Sequence, residues 1–221
     1  MNHIVKVLDT GFVTHDVKRF TVEKPEDYHY IPGQATDISI NKPSLENELR
    51  PFTFTSLADT NTLEFIIKIY KGHNGVTEKL NDVVAGDELI IHDVFGTIAY
   101  HGPGLFLAAG AGITPFIAIF RSLQQQNKIA GNTLLFGNRT EQDIILKEEL
   151  SEMLGNQVIN VLEKSNDPNV PGPYTDKQLI AKYLSKDHEY FYICGPVKYI
   201  AAMKYHLGAL GIEKSRIIIE Q

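Results

Sequence analysis

Residues 105–120 read LFLAAGAGITPFIAIF and join an apolar run to a glycine-rich turn and a second apolar segment. The first four residues form a short continuous apolar run, as expected for a strand that is covered on both faces. Gly110 and Gly112 mark the turn, and Pro115 suits the first turn of a helix that we predict to reach about Gln125. This stretch therefore predicts a strand, a tight turn and a helix in succession.

The remainder of the second half repeats this alternation. Further short apolar runs lie at residues 133–136, 158–162, 190–193 and 217–219. Helices are predicted at residues 144–154, behind the capping-box pattern Thr140-x-x-Asp143, at residues 176–184, and where Tyr199, Met203, Leu207 and Leu210 share one face. Alternating strands and helices predict a doubly wound parallel sheet.

The first half has the period-2 pattern of strands with one buried and one solvent-exposed face. Leu63, Phe65 and Ile67 are apolar, and the charged Glu64 and Lys68 lie on the alternate positions. Further strands are predicted at residues 4–13, 17–23, 35–41 and 88–92, and one helix at residues 76–83. Several short strands with regular turns favour an antiparallel barrel or sandwich. We place the domain boundary near residue 100, which gives domains at residues 1–100 and 101–221.

Composition excludes several classes of function. Of the 221 residues, 22% are charged and 43% hydrophobic, values typical of globular proteins, and the net charge of −6 argues against non-specific nucleic-acid binding. The single cysteine, Cys194, excludes an intrachain disulfide and an all-cysteine iron–sulfur cluster held by one chain. The eight histidines show no metal-hydrolase spacing, so we predict no metal site. Residues 94–120 lack charge but contain seven glycines and prolines, so we expect no membrane span and a cytoplasmic location.

Two turns in the second half are candidates for ligand binding. In the segment Gly110–Pro115, glycines would let a diphosphate approach the backbone, and a helix N-terminus favours negative charge; a tight turn without a ligand explains the pattern equally well. Cys194, Gly195 and Pro196 follow another apolar strand, and Cys194 alone also fits a small buried hydrophobe. Because ligands bind at the carboxyl ends of parallel strands, we expect both turns at one edge of the sheet.

A third candidate is the segment Arg50-Pro51-Phe52-Thr53 in the first half. The arginine fork suits phosphate oxygens, phenylalanine can cover an aromatic ligand, and threonine can form one hydrogen bond. By itself, the segment is also explained by an ordinary strand with one exposed arginine.

Together, the order and spacing of these motifs resemble the ferredoxin–NADP reductase superfamily. The matching motifs are Arg50–Thr53, residues 75–77 (Gly-Val-Thr), residues 110–115, residues 194–196 and Glu220. The resemblance implies a six-stranded antiparallel FAD-binding barrel, followed by a doubly wound NAD(P)-binding domain. It covers nearly the whole chain.

The resemblance also implies roles on the flavin side. Arg50 would contact the flavin diphosphate, Phe52 would lie along the isoalloxazine, and Thr53 would hydrogen-bond near flavin N5, with Pro51 between them. Ile67 and Ile69 would line the flavin, although their alternation fits core packing equally well. Gly75, Val76 and Thr77 would meet the diphosphate at the start of a short helix. Many relatives cover the flavin with a terminal aromatic residue; this chain ends Ile-Glu-Gln, which leaves that face open or covered by another residue.

On the nucleotide side, the resemblance assigns Gly110, Gly112, Thr114 and Pro115 to the dinucleotide pocket. Cys194, Gly195 and Pro196 would border the nicotinamide, where a small polarizable side chain permits close stacking of two rings without acting as an acid or base. Hydride transfer between two cofactors depends on distance and orientation, so no general base is expected.

Four residues bear on the choice of nucleotide. Asn138 and Arg139 lie in a segment that resembles NADH–cytochrome b5 and nitrate reductases, and Glu163 would repel a 2′-phosphate, although it could equally be a solvated loop acid. Arg139 and Lys164 are cations that could accept that phosphate. We favour NADH over NADPH.

The implied function is an NAD(P)H-dependent flavoprotein oxidoreductase. It would pass hydride from NAD(P)H to bound FAD and then single electrons to a separate carrier such as ferredoxin or flavodoxin. Lys68, Lys71 and Lys79 could contact an acidic carrier, or they could simply be solvated. Two alternatives stay open: a reductase of free flavin, and a non-catalytic subunit that binds flavin or nucleotide.

Overall fold

A computed structural model describes residues 2–72 and 75–219, and its first half is a six-stranded antiparallel sheet. The strands are β1 (His3–Phe12), β2 (Val17–Glu23), β3 (Ala35–Ile40), β4 (Arg50–Thr53), β5 (Thr62–Lys68) and β6 (Glu88–Phe95). Their order is β4-β3-β6-β1-β2-β5, and a bridge between Phe54 and Phe65 joins the two edges. The sheet is thereby closed into the expected barrel.

Apolar side chains at alternate strand positions fill the barrel. Phe20, Phe54 and Phe65 are completely buried at its centre, so the period-2 pattern identified the inward face correctly. Helix α1 (Val76–Lys79) follows β5 and continues as a 3-10 turn over Leu80–Asp82. The helix predicted at residues 76–83 is therefore shorter than expected.

The second half is a five-stranded parallel sheet in the order β11-β10-β7-β8-β9. Its strands are β7 (Gly104–Ala109), β8 (Thr133–Asn138), β9 (Val158–Leu162), β10 (Tyr190–Cys194) and β11 (Ile217–Ile219), and its helices are α2 (Thr114–Gln125), α3 (Lys147–Leu154), α4 (Lys177–Tyr183) and α5 (Val197–Ala209). Phe106 and Ala108 face α2 and α3, whereas Leu105 and Leu107 pack with α4 and α5. Helices cover both faces, which confirms the doubly wound arrangement.

One helix begins later than its capping signal predicts. Thr140 and Asp143 do form a capping box, but it caps only the 3-10 turn Glu141–Asp143, and α3 starts at Lys147 instead of residue 144. Ile144 and Ile145 are buried in the core, and Leu146 is left-handed with a φ of 49°. Burying the two isoleucines interrupts the helix, and tertiary packing here overrides the local signal.

The two halves meet through an apolar contact. Val17 and Ile66 of the barrel belong to the same buried cluster as Phe116 and Phe120 of α2. Residues 96–103 connect β6 to β7, so we retain residue 100 as the proposed domain boundary. Within the described residues, no helix has the length and apolarity needed to cross a membrane.

Candidate functional site

A large cleft lies at the carboxyl ends of β7 and β10 and is lined by residues of both halves. The order of strands reverses between β7 and β10, which is where open α/β sheets bind ligands. The cleft has a volume of about 1570 Å³. Sites for a single small molecule usually span about 300–1,000 Å³, so this cleft has room for an extended ligand or for two ligands.

The turns that follow β7 and β10 contact each other at the centre of this cleft. Ala108 and Cys194 are register partners on the two strands. A Cβ atom placed on Gly112 would lie 2.4 Å from the Cys194 carbonyl oxygen, too close for any side chain, and Gly110 has a φ of 52°. The expectation that both motifs share one edge of the sheet is confirmed, and glycine at position 112 is what allows their contact.

Most of the predicted site residues line this one cleft. Those from the barrel half are Pro51, Phe52, Thr53, Ile67, Ile69 and Thr77; those from the second half are Gly110, Gly112, Thr114, Asn138, Arg139, Glu163, Cys194, Gly195 and Pro196. Ile67 and Ile69 are also buried in the barrel core, so the lining and packing interpretations both apply to them. Sequence-distant motifs are thus brought together, and their individual roles remain predictions.

Four predicted residues within the described ranges do not line the cleft: Arg50, Gly75, Val76 and Pro115. The Arg50 side chain is exposed and donates a hydrogen bond to the Leu49 carbonyl at 2.6 Å. Val76 and Pro115 are buried at the starts of α1 and α2. Glu220 lies outside the described residues.

The barrel wall includes aromatic residues that the sequence motifs did not identify. Tyr70 follows β5, and Phe95 ends β6; both line the cleft and are 48% and 40% exposed. Phe95 and Thr53 are both register partners of Ala35 on β3, so β3 holds them in one row. No local signal in the sequence marks either residue, because their place on the cleft wall depends on which strands become neighbours. Apolar walls of this kind suit the flat faces of an aromatic ring system.

Buried polar groups without partners mark the wall of the second half. Both side-chain polar atoms of Asn138 have no hydrogen-bond partner among the residues the structure describes, and the hydroxyls of Thr175 and Tyr199 are close only to each other. Asn138 and Thr175 are only 9% and 6% exposed, and all three residues line the cleft. Because buried polar groups are almost always hydrogen-bonded, these side chains are suited to bind a polar ligand. Burial raises the pKa of the Tyr199 hydroxyl, which therefore stays a neutral donor.

At the rim of the cleft, Asp143 is the centre of a polar cluster. Burial opposes its ionisation, but hydrogen bonds from Thr140 and Arg139 lower the pKa of its carboxyl group. His15, Asp16 and Asp143 offer ligand atoms within 4.8 Å of one another. Asp16 is paired with Lys68 at 2.9 Å, and Asp143 accepts the bonds from Thr140 and Arg139, so we assign no metal ion to this cluster.

The residues present fit a flavin and a dinucleotide. The barrel side offers apolar and aromatic walls for a ring system, and the second half offers a glycine turn that opens a 12-residue helix, where a diphosphate is favoured. The unsatisfied amide of Asn138 and the hydroxyls beside it supply donors and acceptors for ribose or nicotinamide.

Comparison with known families supports the same assignment. A family model described as an FAD-binding domain matches residues 2–130, and one described as an oxidoreductase NAD-binding domain matches residues 106–204. The first of these models alone spans more than half of the chain.

Curated relatives share about a quarter of the sequence. The reductase component of the naphthalene 1,2-dioxygenase/salicylate 5-hydroxylase systems of Ralstonia sp is 24% identical over 216 residues, covering 92% of this chain and 64% of the relative. Human NADH-cytochrome b5 reductase 1 is 27% identical over 183 residues, covering 68% of this chain and 60% of the relative. The chain therefore spans about three fifths of the length of these relatives.

Solved structures share the fold. The ferredoxin NADP+ reductase of Neisseria gonorrhoeae with bound FAD and NADP superposes with a TM-score of 0.85 at 17% identity, covering 99% of this chain and 97% of that one. The cytochrome b5 reductase domain of Ulva prolifera nitrate reductase has the same TM-score and coverage at 20% identity. With its antiparallel barrel, its parallel sheet and a cleft shared between them, the chain belongs to the ferredoxin–NADP reductase superfamily, in which an FAD-binding domain precedes an NAD-binding domain.

Proposed function

We propose that this chain is an NAD(P)H-dependent flavoprotein reductase that passes hydride from NAD(P)H to bound FAD and then single electrons to a separate carrier. One observation carries the proposal: Thr53, from the barrel motif, and Cys194, from the nucleotide motif, line the same cleft. A site that held only one ligand would not need both motifs on its walls.

The chain's contribution is to bind, orient and exclude water. A flavin supplies the chemistry when bound, because it can take two electrons as hydride and release them one at a time. Thr53 is half-buried and offers a hydroxyl to the flavin ring, and Gly112 lets the Cys194 turn approach the nicotinamide side. Cys194 is 5% exposed and adds little bulk, so a second ring can stack closely beside it.

The charges at the nucleotide end favour NADH. Arg139, a cation on the cleft wall that could accept a 2′-phosphate, donates a hydrogen bond from Nη2 to Asp143 Oδ1 at 3.3 Å. Glu163 is exposed on the cleft wall, and its backbone N–H donates to the Asn138 carbonyl at 3.0 Å, which fixes its position beside the unsatisfied Asn138 amide. Asp143 engages part of the Arg139 guanidinium, and the Glu163 carboxylate would repel a 2′-phosphate and accept a hydrogen bond from a ribose hydroxyl.

The electron acceptor is a separate one-electron carrier, such as ferredoxin or flavodoxin. The single cysteine excludes an all-cysteine cluster within these 221 residues, so electrons must leave to another centre. Two relatives that this chain matches over 64% and 60% of their length are named as reductase components of dioxygenase and propane monooxygenase systems, which supports a role in passing electrons to another component.

Anaerobic titration of the purified protein with NADH and with NADPH tests the proposal. We expect a yellow protein whose flavin absorption bleaches with either nucleotide, and we expect bleaching to need a lower concentration of NADH than of NADPH. Colour that is lost on desalting would identify a reductase of free flavin. Retained flavin that neither nucleotide bleaches would identify a non-catalytic subunit, and failure to bind added FAD would refute the assignment altogether.

A further inference from the structure

Arg121 on α2 bridges the two halves of the molecule through its guanidinium group. Nη1 donates to Glu64 Oε1 and to the Thr55 carbonyl oxygen, both at 2.7 Å and both in the barrel half. On the other side, Nε and Nη2 donate to the two carboxylate oxygens of Glu149 on α3, at 2.5 and 3.0 Å. The Arg121 side chain is 19% exposed, so the network is sheltered from solvent.

The charge state of this network is fixed. Burial opposes the charged form of Arg121, but the hydrogen bonds and charges of Glu149 and Glu64 outweigh it and raise the pKa of the guanidinium. The Thr55 hydroxyl also donates to Glu64 Oε1, at 2.7 Å, which holds that carboxylate in place. Because the guanidinium is planar and makes several charge-assisted hydrogen bonds, it fixes both the orientation and the distance of its partners.

The two ends of the network belong to the two walls of the cleft. Helix α2 starts at Thr114, directly after the Gly110–Ile113 turn, and Arg121 lies about 10 Å further along the same helix. Glu64 lies on β5, whose residues 66–68 line the cleft from the barrel side. The ion pair therefore connects the element that carries the nucleotide turn to the strand that forms the opposite wall.

The apolar contact between the halves is less directional than this network. Val17 and Ile66 share a buried cluster with residues of α2, and apolar burial is a non-directional interaction. The hydrogen bonds of the planar Arg121 guanidinium resist displacement of one half against the other, because a small displacement spoils their N–H···O angles.

We propose that Arg121 is a positioning residue for hydride transfer, acting through Glu64 and Thr55 to fix the relative placement of the two cleft walls and so of the two cofactors. This inference rests on the proposed function, because it assigns to Arg121 the alignment that such a transfer requires. Misplacement of reacting groups by about 1 Å can slow a reaction about 100-fold.

Two matched variants separate positioning from general stabilisation. Glu64→Leu removes the barrel-side carboxylate that Arg121 bonds and leaves only the Thr55 carbonyl oxygen, whereas Glu149→Leu removes the partner on α3, within the same half, and leaves both bonds to the barrel. Both variants remove one carboxylate from the same guanidinium. Arg121→Lys keeps the charge without the fork and serves as a second test if Glu64→Leu does not fold.

The first measurement needs no cofactor. Residual dipolar couplings of backbone amides report the orientation of each half, and one alignment tensor should fit both halves in the wild type and in Glu149→Leu. We expect Glu64→Leu to require two tensors. A single tensor for Glu64→Leu would overturn the inference.

The second measurement is the rate of reduction of bound flavin at saturating nucleotide. We expect Glu64→Leu to slow this rate by about tenfold or more, while the KM for nucleotide changes by less than about threefold. Glu149→Leu should stay within about threefold of wild type. Equal slowing in both variants, or none in Glu64→Leu, would overturn the inference. If the wild-type protein reduced no flavin, the proposed function would fail, and the couplings alone would still test the positioning of the two halves.

Discussion

Replacing Gly112 by alanine tests the contact between the two turns at the centre of the cleft. The added Cβ atom would lie 2.4 Å from the Cys194 carbonyl oxygen, and also 2.6 Å from the Gly195 Cα atom. Real Cβ contacts essentially never fall below 3.0 Å, so the turns must separate by at least 0.6 Å, the difference between these two distances. Both obstacles are backbone atoms, which cannot rotate away.

The expected cost has a structural and a functional part. Overpacking of this kind destabilises proteins by about 1–3 kcal/mol. A shift of more than half an ångström between the turns that border the nicotinamide should slow flavin reduction at saturating nucleotide by about tenfold or more, since about 1 Å of misplacement can cost about 100-fold.

The assay is anaerobic rapid mixing of flavin-loaded protein with saturating NADH, alongside urea unfolding of the same samples. Gly208→Ala is the matched control, because Gly208 lies within α5 and its added Cβ atom would meet nothing within 4 Å beyond the local backbone of its own helix. We expect that control to keep its reduction rate and to gain up to about 1 kcal/mol of stability. A Gly112→Ala protein that reduces flavin within about threefold of the wild-type rate would refute the reasoning.

Three further predictions concern polar groups. Asn138→Ala should raise the dissociation constant for the dinucleotide by about 5–30-fold, equivalent to about 1–2 kcal/mol. It should not lower the melting temperature, because the side chain has no partner among the described residues. Isothermal titration calorimetry and differential scanning calorimetry measure the two quantities, and a lower melting temperature with unchanged affinity would indicate a structural role. Glu163→Gln should reduce the ratio of NADH to NADPH specificity by about 3–10-fold, and an unchanged ratio of kcat/KM values would contradict a ribose contact. Burial raises the pKa of Tyr30 to about 12, above the ordinary value of 10.0, so the folded state holds this proton more tightly and stability falls as pH rises from 10 to 12. Measured by urea unfolding across that pH range, the free energy of unfolding should fall less steeply in Tyr30→Phe than in the wild type. An identical slope in the two proteins would contradict the prediction.

Much of the fold followed from patterns that span few residues. Alternation in β5 identified its buried face, and the run of residues 105–120 predicted β7, its turn and α2 with the helix ending at Gln125 as observed. Local signals failed where long-range packing opposed them. The capping box at Thr140 predicted a helix from residue 144, but burial of Ile144 and Ile145 delays α3 to Lys147.

The candidate site was predictable only as separate motifs. Sequence order placed the Gly110 and Cys194 turns at the ends of parallel strands, and strand adjacency then followed from the rules of doubly wound sheets. Nothing local indicated that Phe95 or Tyr199 would line the same cleft, because each depends on which strands and helices become neighbours. The bridge from Arg121 to Glu64 joins positions 57 residues apart, on a helix and a strand that carry no shared motif.

The sequence by itself determined the two architectures, because strand period and glycine turns are local properties of the chain, and the order of its motifs carried the resemblance to the superfamily. Only the tertiary structure decided that the two turns contact through Gly112, that the Asn138 amide is left without a partner among the described residues, and that Arg121 ties the cleft walls together. These are contacts between distant segments. Their distances depend on how a barrel and a parallel sheet pack against each other, which the spacing of residues along the chain does not specify.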